Sequence, residues 1–143
     1  MLSSSRFLRA VVGLAFALLL VGTASPASAV TYGPYSPEAY GVKGRVSPPT
    51  SAQARAYVQF VRSSSDADSN AGERQVRITY KIGGNAARTL GARYLMKGST
   101  TTFSTAAVPC GQTVRVTAAA RGRVGTGAWS KWYATTRSVK RSC

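Results

Sequence analysis

The sequence predicts an all-β protein, a six- to seven-stranded antiparallel β-sandwich behind an extended N-terminal arm. Three observations lead there. Residues 75–82 and 113–121 alternate apolar and polar side chains with a period of two, the signature of a strand with one wet face. Turn-forming residues recur at intervals of about 8–12 residues, the rhythm of a sandwich. Past residue 29 no segment carries the 3.6-residue periodicity of an amphipathic helix.

Residues 1–29 read as a secretory signal peptide. Arg6 and Arg9 form its positive start, residues 11–21 its apolar run, and Ala27-Ser28-Ala29 a small-residue cleavage site. The apolar run of eleven residues is too short to cross hydrocarbon of roughly 30 Å, which takes about 20 residues. Export places the product in a secreted, extracellular setting, with no membrane insertion expected. A mature chain starting at Val30 has 114 residues, seventeen bases and four acids, a net charge of +13.

Residues 30–52 differ in texture from the rest of the mature chain. Pro34, Pro37, Pro48 and Pro49 alternate with Tyr32, Tyr35 and Tyr40. Proline removes a donor and fixes φ, which keeps it out of a central strand. The segment reads as an extended arm with a short edge strand at 42–46. Two readings stand for the arm: a loose terminus, or one that docks through its tyrosines on its own domain or on a partner, since disordered tails are poor in aromatics.

The sandwich itself spans 53–143. Residues 54–62 form a near-continuous apolar strand with Tyr57, Val58, Phe60 and Val61, and 63–72 a polar loop. In 75–82, Val76, Ile78, Tyr80 and Ile82 point inward, while Gln75, Arg77, Thr79 and Lys81 point outward. Residues 83–85 (Gly-Gly-Asn) make a turn, 88–96 and 100–105 two weaker strands, and 108–111 a corner. In 113–121, Val114, Val116, Ala118 and Ala120 face inward against Thr113, Arg115, Thr117 and Arg121. A Gly-rich turn at 122–127 leads to a final strand at 129–139.

Cys110 and Cys143 are an even pair in a chain marked for export, so a disulfide is expected in preference to two free thiols. Their sequence midpoint falls at the 122–127 turn. The bond would therefore staple the open end of the last hairpin.

Those last two strands carry a resemblance. Val108-Pro109-Cys110-Gly111-Gln112-Thr113-Val114-Arg115-Val116-Thr117-Ala118, followed by Gly125-Thr126-Gly127-Ala128-Trp129-Ser130, resembles the closing strands of a fibronectin type III domain. Trp129-Ser130-Lys131-Trp132 is similar to the Trp-Ser-x-Trp-Ser box of cytokine-receptor members of that family, in which arginines stack between tryptophans. Val114 stands where the family has an aromatic, Tyr133 stands for the last Ser of the box, and Tyr57 or Phe60 stands for an early-strand Trp. The resemblance implies a fibronectin type III-like, immunoglobulin-like sandwich with the closing strands in one sheet.

The chain has no histidine, which excludes His-dependent triads and His metal sites. Asp66-x-Asp68-x-Asn70-x-Gly72 lacks the glycine spacing and the distal Glu of a calcium loop and reads as a solvated loop. No catalytic residue, metal site or cofactor is expected. After Glu73 there is no acid at all, against thirteen Lys and Arg from Arg74 onward. Arg77, Lys81, Arg115, Lys131 and Arg137 are expected to share one exposed sheet face with Trp129 and Tyr133, with Arg121 and Arg123 at its turn. Such a face attracts polyanions and acidic partners; the alternatives are a stabilising ladder of arginines on Trp129 and Trp132, or charge serving solubility alone.

The functional expectation is a small secreted, non-enzymatic binding or adaptor protein. Its partner would be a secreted or cell-surface protein, or an anionic cell-wall polymer. Nucleic acid is not expected for an exported chain. Size, export and the arm suggest one concrete form, an adaptor joining larger subunits of a secreted bacterial toxin complex. A secreted protease inhibitor and a cationic antibacterial polypeptide are the alternatives.

Overall fold

In the computed structural model, residues 30–64 and 72–143 are described. Residues 1–29, expected as a signal peptide, and Asp66, Asp68 and Asn70 of the polar loop lie outside the described residues. Among the described residues every regular element is a strand: β1 (Val42–Ser47), β2 (Tyr57–Arg62), β3 (Gly72–Ile82), β4 (Arg88–Thr89), β5 (Arg93–Tyr94), β6 (Thr100–Ser104), β7 (Thr113–Val124) and β8 (Tyr133–Lys140).

They form two antiparallel sheets. One has the order β1-β2-β6; the other has β4-β3-β7-β8, with β5 pairing the same edge of β3 as β4. The alternating segments are why β3 and β7 are central. Each turns one largely buried row to the core, and they pair over eleven register positions from Gly72↔Val124 to Ile82↔Val114. Val76, Ile78, Tyr80, Ile82, Val114, Val116 and Ala120 from this sheet meet Val42, Val46, Val58, Phe60 and Phe103 from the other in one core. Phe60 and Phe103 meet edge to face at 5.8 Å, a favoured arrangement of ring quadrupoles. Phe60 also lies across Gly44, where an added Cβ would come within 3.3 Å of its ring.

Eight strands stand where six or seven are expected, and the reason is local. The segment expected as one strand at 88–96 is interrupted after two residues, and Leu90 uses its N–H on the carbonyl of Ile78. The β7–β8 hairpin differs as well. β7 runs on to Val124 because β3 reaches back to Gly72 to pair with it. Residues 125–132 form the connection, anchored where the Ser130 N–H donates to the Gly122 carbonyl at 2.8 Å.

The N-terminal arm folds back on its own domain. Ala39 and Val42 exchange two backbone hydrogen bonds of 2.9 Å, with Tyr40 and Gly41 both at positive φ (53° and 73°). That is the pattern of the primed two-residue hairpin turns. Tyr40 is no glycine, and holding it left-handed costs on the order of 1–2 kcal/mol. Residues 30–39 then run antiparallel to β1, with Ser36 N–H on the Gly44 carbonyl at 2.7 Å and Gly33 N–H on that of Val46 at 2.8 Å. Arg45 covers the rings of Tyr32 (4.5 Å) and Tyr35 (4.7 Å), and Lys43 also covers Tyr35 (4.4 Å).

Cys110 and Cys143 are disulfide-bonded, with Cα atoms 5.6 Å apart. Gly111 N–H on the Arg141 carbonyl (3.1 Å) and Arg141 N–H on that of Gln112 (2.9 Å) carry the β7–β8 ladder to the bond. Arg141 also donates to the carbonyls of Thr50, Ser51 and Val108, tying this end to the β1–β2 connection. Closing a loop with a sequence separation of 33 is worth roughly 3–4 kcal/mol in the chain-entropy model. Cys110→Ser/Cys143→Ser is expected to lower the free energy of unfolding in urea by about that amount, with the same strand circular dichroism at zero denaturant. Equal midpoints for the double variant and the oxidised protein would refute this.

Candidate binding face

The outward row of β7 reads Thr113, Arg115, Thr117, Ala119, Arg121 and Arg123. Register places Lys81, Thr79, Arg77, Gln75 and Glu73 of β3 beside Arg115 through Arg123 in turn. Outward residues on one strand lie about 7 Å apart, twice the thickness of a stacked ring. An aromatic plane therefore fits between successive guanidinium groups. The two tryptophans of the β7–β8 connection take those places.

The resulting stack has the order Arg77, Trp132, Arg121, Trp129, Arg123. Arg77 lies 4.1 Å from the Trp132 ring centre and Arg121 4.5 Å from it; Arg121 is 4.7 Å and Arg123 4.4 Å from that of Trp129. The Gln75 side-chain carbonyl accepts two hydrogen bonds from Arg121, at 2.9 and 2.7 Å. The Glu73 carboxylate closes the end of the stack by accepting from Arg123. Tyr94 adds a ring 6.1 Å from Trp129. Ala119 points outward yet is only 5 % exposed, because the stack lies over it. Each exposed cation–π contact is worth about 0.5–1 kcal/mol, so the four together supply roughly 2–4 kcal/mol.

Beyond a row of threonines (Thr89 with Thr79, and Thr117 with Thr136, each hydroxyl pair at 2.9 Å) the face changes character. Lys81 and Arg115 stand directly opposite each other, and Lys140 lies opposite Thr113 one outward position further along. Directly opposed like charges are destabilising. Glu73, the carboxylate on this face among the described residues, is held at the far end by Arg123. The cations of the face thus divide into a set engaged by rings and a set turned to solvent.

The nine side chains expected to form one surface are separated by the register. Arg77, Arg121, Arg123 and Trp129 are in the stack; Lys81 and Arg115 are open on the same face. Tyr133 and Arg137 are not on it. They pair with Ala120 and Val116, whose side chains point inward, so both face the arm side of the sheet. Lys131 goes with them, 5.1 Å from the Tyr133 ring. The physical reason is that β8 carries almost no apolar residue to mark which of its rows is inside. Lys140, Trp132, Gln75 and Glu73 complete the face. Lys140 could have been found from the hairpin register, and Trp132 from its place beside Trp129.

Behind the stack, Tyr40 of the arm meets Tyr133 edge to face at 5.4 Å and lies beneath Arg74, 5.4 Å from its ring centre. Buried Arg74 donates to the Tyr40 carbonyl at 2.9 Å. Gly122 leaves room here, since a Cβ would come within 3.2 Å of both Arg74 and Tyr40. The Ser130 side chain, and next that of Tyr133, hydrogen-bond to the Tyr40 hydroxyl. They hold its ionisation below the ordinary tyrosine value, with the charges of Arg74 and Lys131 acting in the same sense. Tyr133 is pushed up by its bond to Tyr40. A cleft of about 540 Å³ opens between Tyr40, Arg74, Trp129 and Ser130.

Among the described residues no three His, Cys, Asp or Glu side chains gather where a metal could be held. No protein family, curated protein or solved structure matches the chain.

Arg121→Ala removes two ring contacts and both bonds to Gln75, and is expected to cost about 2 kcal/mol in denaturant unfolding. Both tryptophans of the chain belong to the stack, so their emission should shift to the red. Arg115→Ala, outside the stack, should leave emission unchanged and stability unchanged or slightly raised, since it relieves the repulsion from Lys81; equal effects of the two changes would refute the assignment. Ser130→Ala should raise the ionisation of Tyr40 toward that of an ordinary tyrosine, read as a later tyrosinate absorbance step in an alkaline titration.

Proposed function

We propose that the protein is a secreted, non-enzymatic, fibronectin type III-like binding module, and that it engages an anionic cell-wall polymer through the outer face of the β4-β3-β7-β8 sheet. One observation carries this reading: Lys81 and Arg115 stand in direct register, with Lys140 diagonal to Arg115, and no described carboxylate lies within ion-pair distance of any of them. A fold keeps like charges side by side at a cost. An anionic ligand would offset it.

The stack supports the same reading by elimination. Arg77, Arg121 and Arg123 already have partners within the chain, so the solvent-facing trio is the part of the face with binding capacity to spare. The Thr79, Thr89, Thr117 and Thr136 hydroxyls beside it offer neutral hydrogen bonds along an extended polymer. The non-enzymatic part rests on residue chemistry. The chain lacks histidine, and Glu73 is committed to Arg123. The order β1-β2-β6 against β4-β3-β7-β8 and the tryptophan–arginine stack favour the fibronectin type III-like description.

Binding of the purified, oxidised protein to sodium polyphosphate, followed by calorimetry over a range of salt concentrations, tests the reading. Affinity should fall steeply as salt rises, since binding releases condensed counterions. Lys81→Glu/Arg115→Glu should weaken it by about 10-fold or more and flatten the salt slope by about one unit for each cation removed. Lys131→Glu, on the arm side, should have a small effect. A response to polyphosphate that does not depend on salt, or equal losses for all these variants, would overturn it.

A further inference from the structure

The three most exposed large apolar side chains among the described residues are Met96 at 74 %, Val124 at 72 % and Tyr94 at 59 %. Tyr94 and Met96 are two residues apart on one edge of β3, and Val124 stands across β3 from them on the alternate row. Tyr94 pairs with Gln75, and the Leu95 N–H on the Arg74 carbonyl (2.9 Å) carries that antiparallel register on, setting Met96 beside Glu73. Val124 lies opposite Gly72, the neighbour of Glu73. Beside Tyr94 and Met96 is a hollow of about 350 Å³, lined also by Arg62, Glu73, Arg74 and Lys97. This end of the sandwich lies at the opposite extreme of the sheet from the Lys81–Arg115–Lys140 cluster.

We infer that this hollow is a docking site for an acidic protein, which seats an apolar side chain against Tyr94 and Met96. Exposed apolar side chains gathered in one place mark interaction sites, and aromatic, Met and Arg side chains are enriched at the centres of protein interfaces. Charge decides which protein. Arg62, Arg74 and Lys97 line the hollow, while Glu73, the acid that lines it among the described residues, is neutralised by Arg123. An apolar centre with a cationic rim complements an apolar side chain set among carboxylates. A second copy of this chain does not fit: each carries a formal net charge of +15, and the two rims would repel. An anionic polymer alone gives the apolar centre nothing to bury. The site does not rest on the polymer reading and uses none of its residues.

The test places a photo-crosslinking amino acid at position 96 of the full chain in the cells that make it, with position 140 as the comparison. The expected adduct forms at position 96 with an acidic protein. That protein, once purified, should bind the unmodified chain directly. Tyr94→Asp or Met96→Asp should weaken this binding by about 30-fold or more, as removal of an interface hot spot does. Lys81→Glu/Arg115→Glu should leave it within a few-fold. Both patch positions are solvent-exposed, and circular dichroism checks that each variant is folded. A lack of adduct at position 96, an adduct with a second copy of this chain, or a partner whose affinity ignores both patch variants would overturn the inference.

Discussion

A shortage of carboxylates governs how this chain is held together. It has nineteen Lys and Arg against four Asp and Glu, so ion pairs are not available to most of its cations. Aromatic faces and backbone carbonyls take their place. Arg45, Arg77, Arg93, Arg121 and Arg123 lie over rings. Arg62 donates to the carbonyls of Leu95 and Gly72, Arg74 to that of Tyr40, and Arg141 to those of Thr50, Ser51 and Val108. Guanidinium suits both roles, since it is planar, more weakly hydrated than an ammonium, and carries five donors in a fixed fork. The preference for arginine at these positions comes from the nature of the partners.

This pattern also explains how the arm and the closing strands come together. Arg74 needs a carbonyl, and Tyr40 in its left-handed turn supplies one while laying its ring under the same guanidinium. Tyr133 and Ser130 then hold the Tyr40 hydroxyl. The strain in the turn is offset by contacts that reach from the first hairpin to β3 and the β7–β8 connection. Arm and stack are thus two sides of one arrangement: Tyr40 of the arm packs against Arg74 and Tyr133 behind the stacked tryptophans.

The same physics decides which parts of the molecule can be read from residues alone. β3 and β7 were legible because each turns one largely buried row to the core, and burial writes a period of two into the sequence. The disulfide was legible because two cysteines bracket a turn. β8 was not, because its rows are Tyr, Thr, Arg and Val against Ala, Thr, Ser and Lys, which differ too little in polarity to reveal which is inside. The fold-back of the arm depends on a tyrosine in a conformation that glycine or asparagine usually takes, and nothing local announces it. The order of the stack was out of reach for a third reason: Glu73 and Gln75 meet Arg123 and Arg121 only through long-range register.

Holding cations by rings and carbonyls has an effect on acid tolerance. A guanidinium stays protonated throughout the accessible range, and neither an indole face nor a peptide carbonyl takes up a proton in mild acid. Folds pinned by aspartate and glutamate loosen as those groups are neutralised. Among the described residues of this protein, the ion pair is that of Glu73 with Arg123, at one end of the stack. The rest of the stack keeps its attraction when the surroundings acidify.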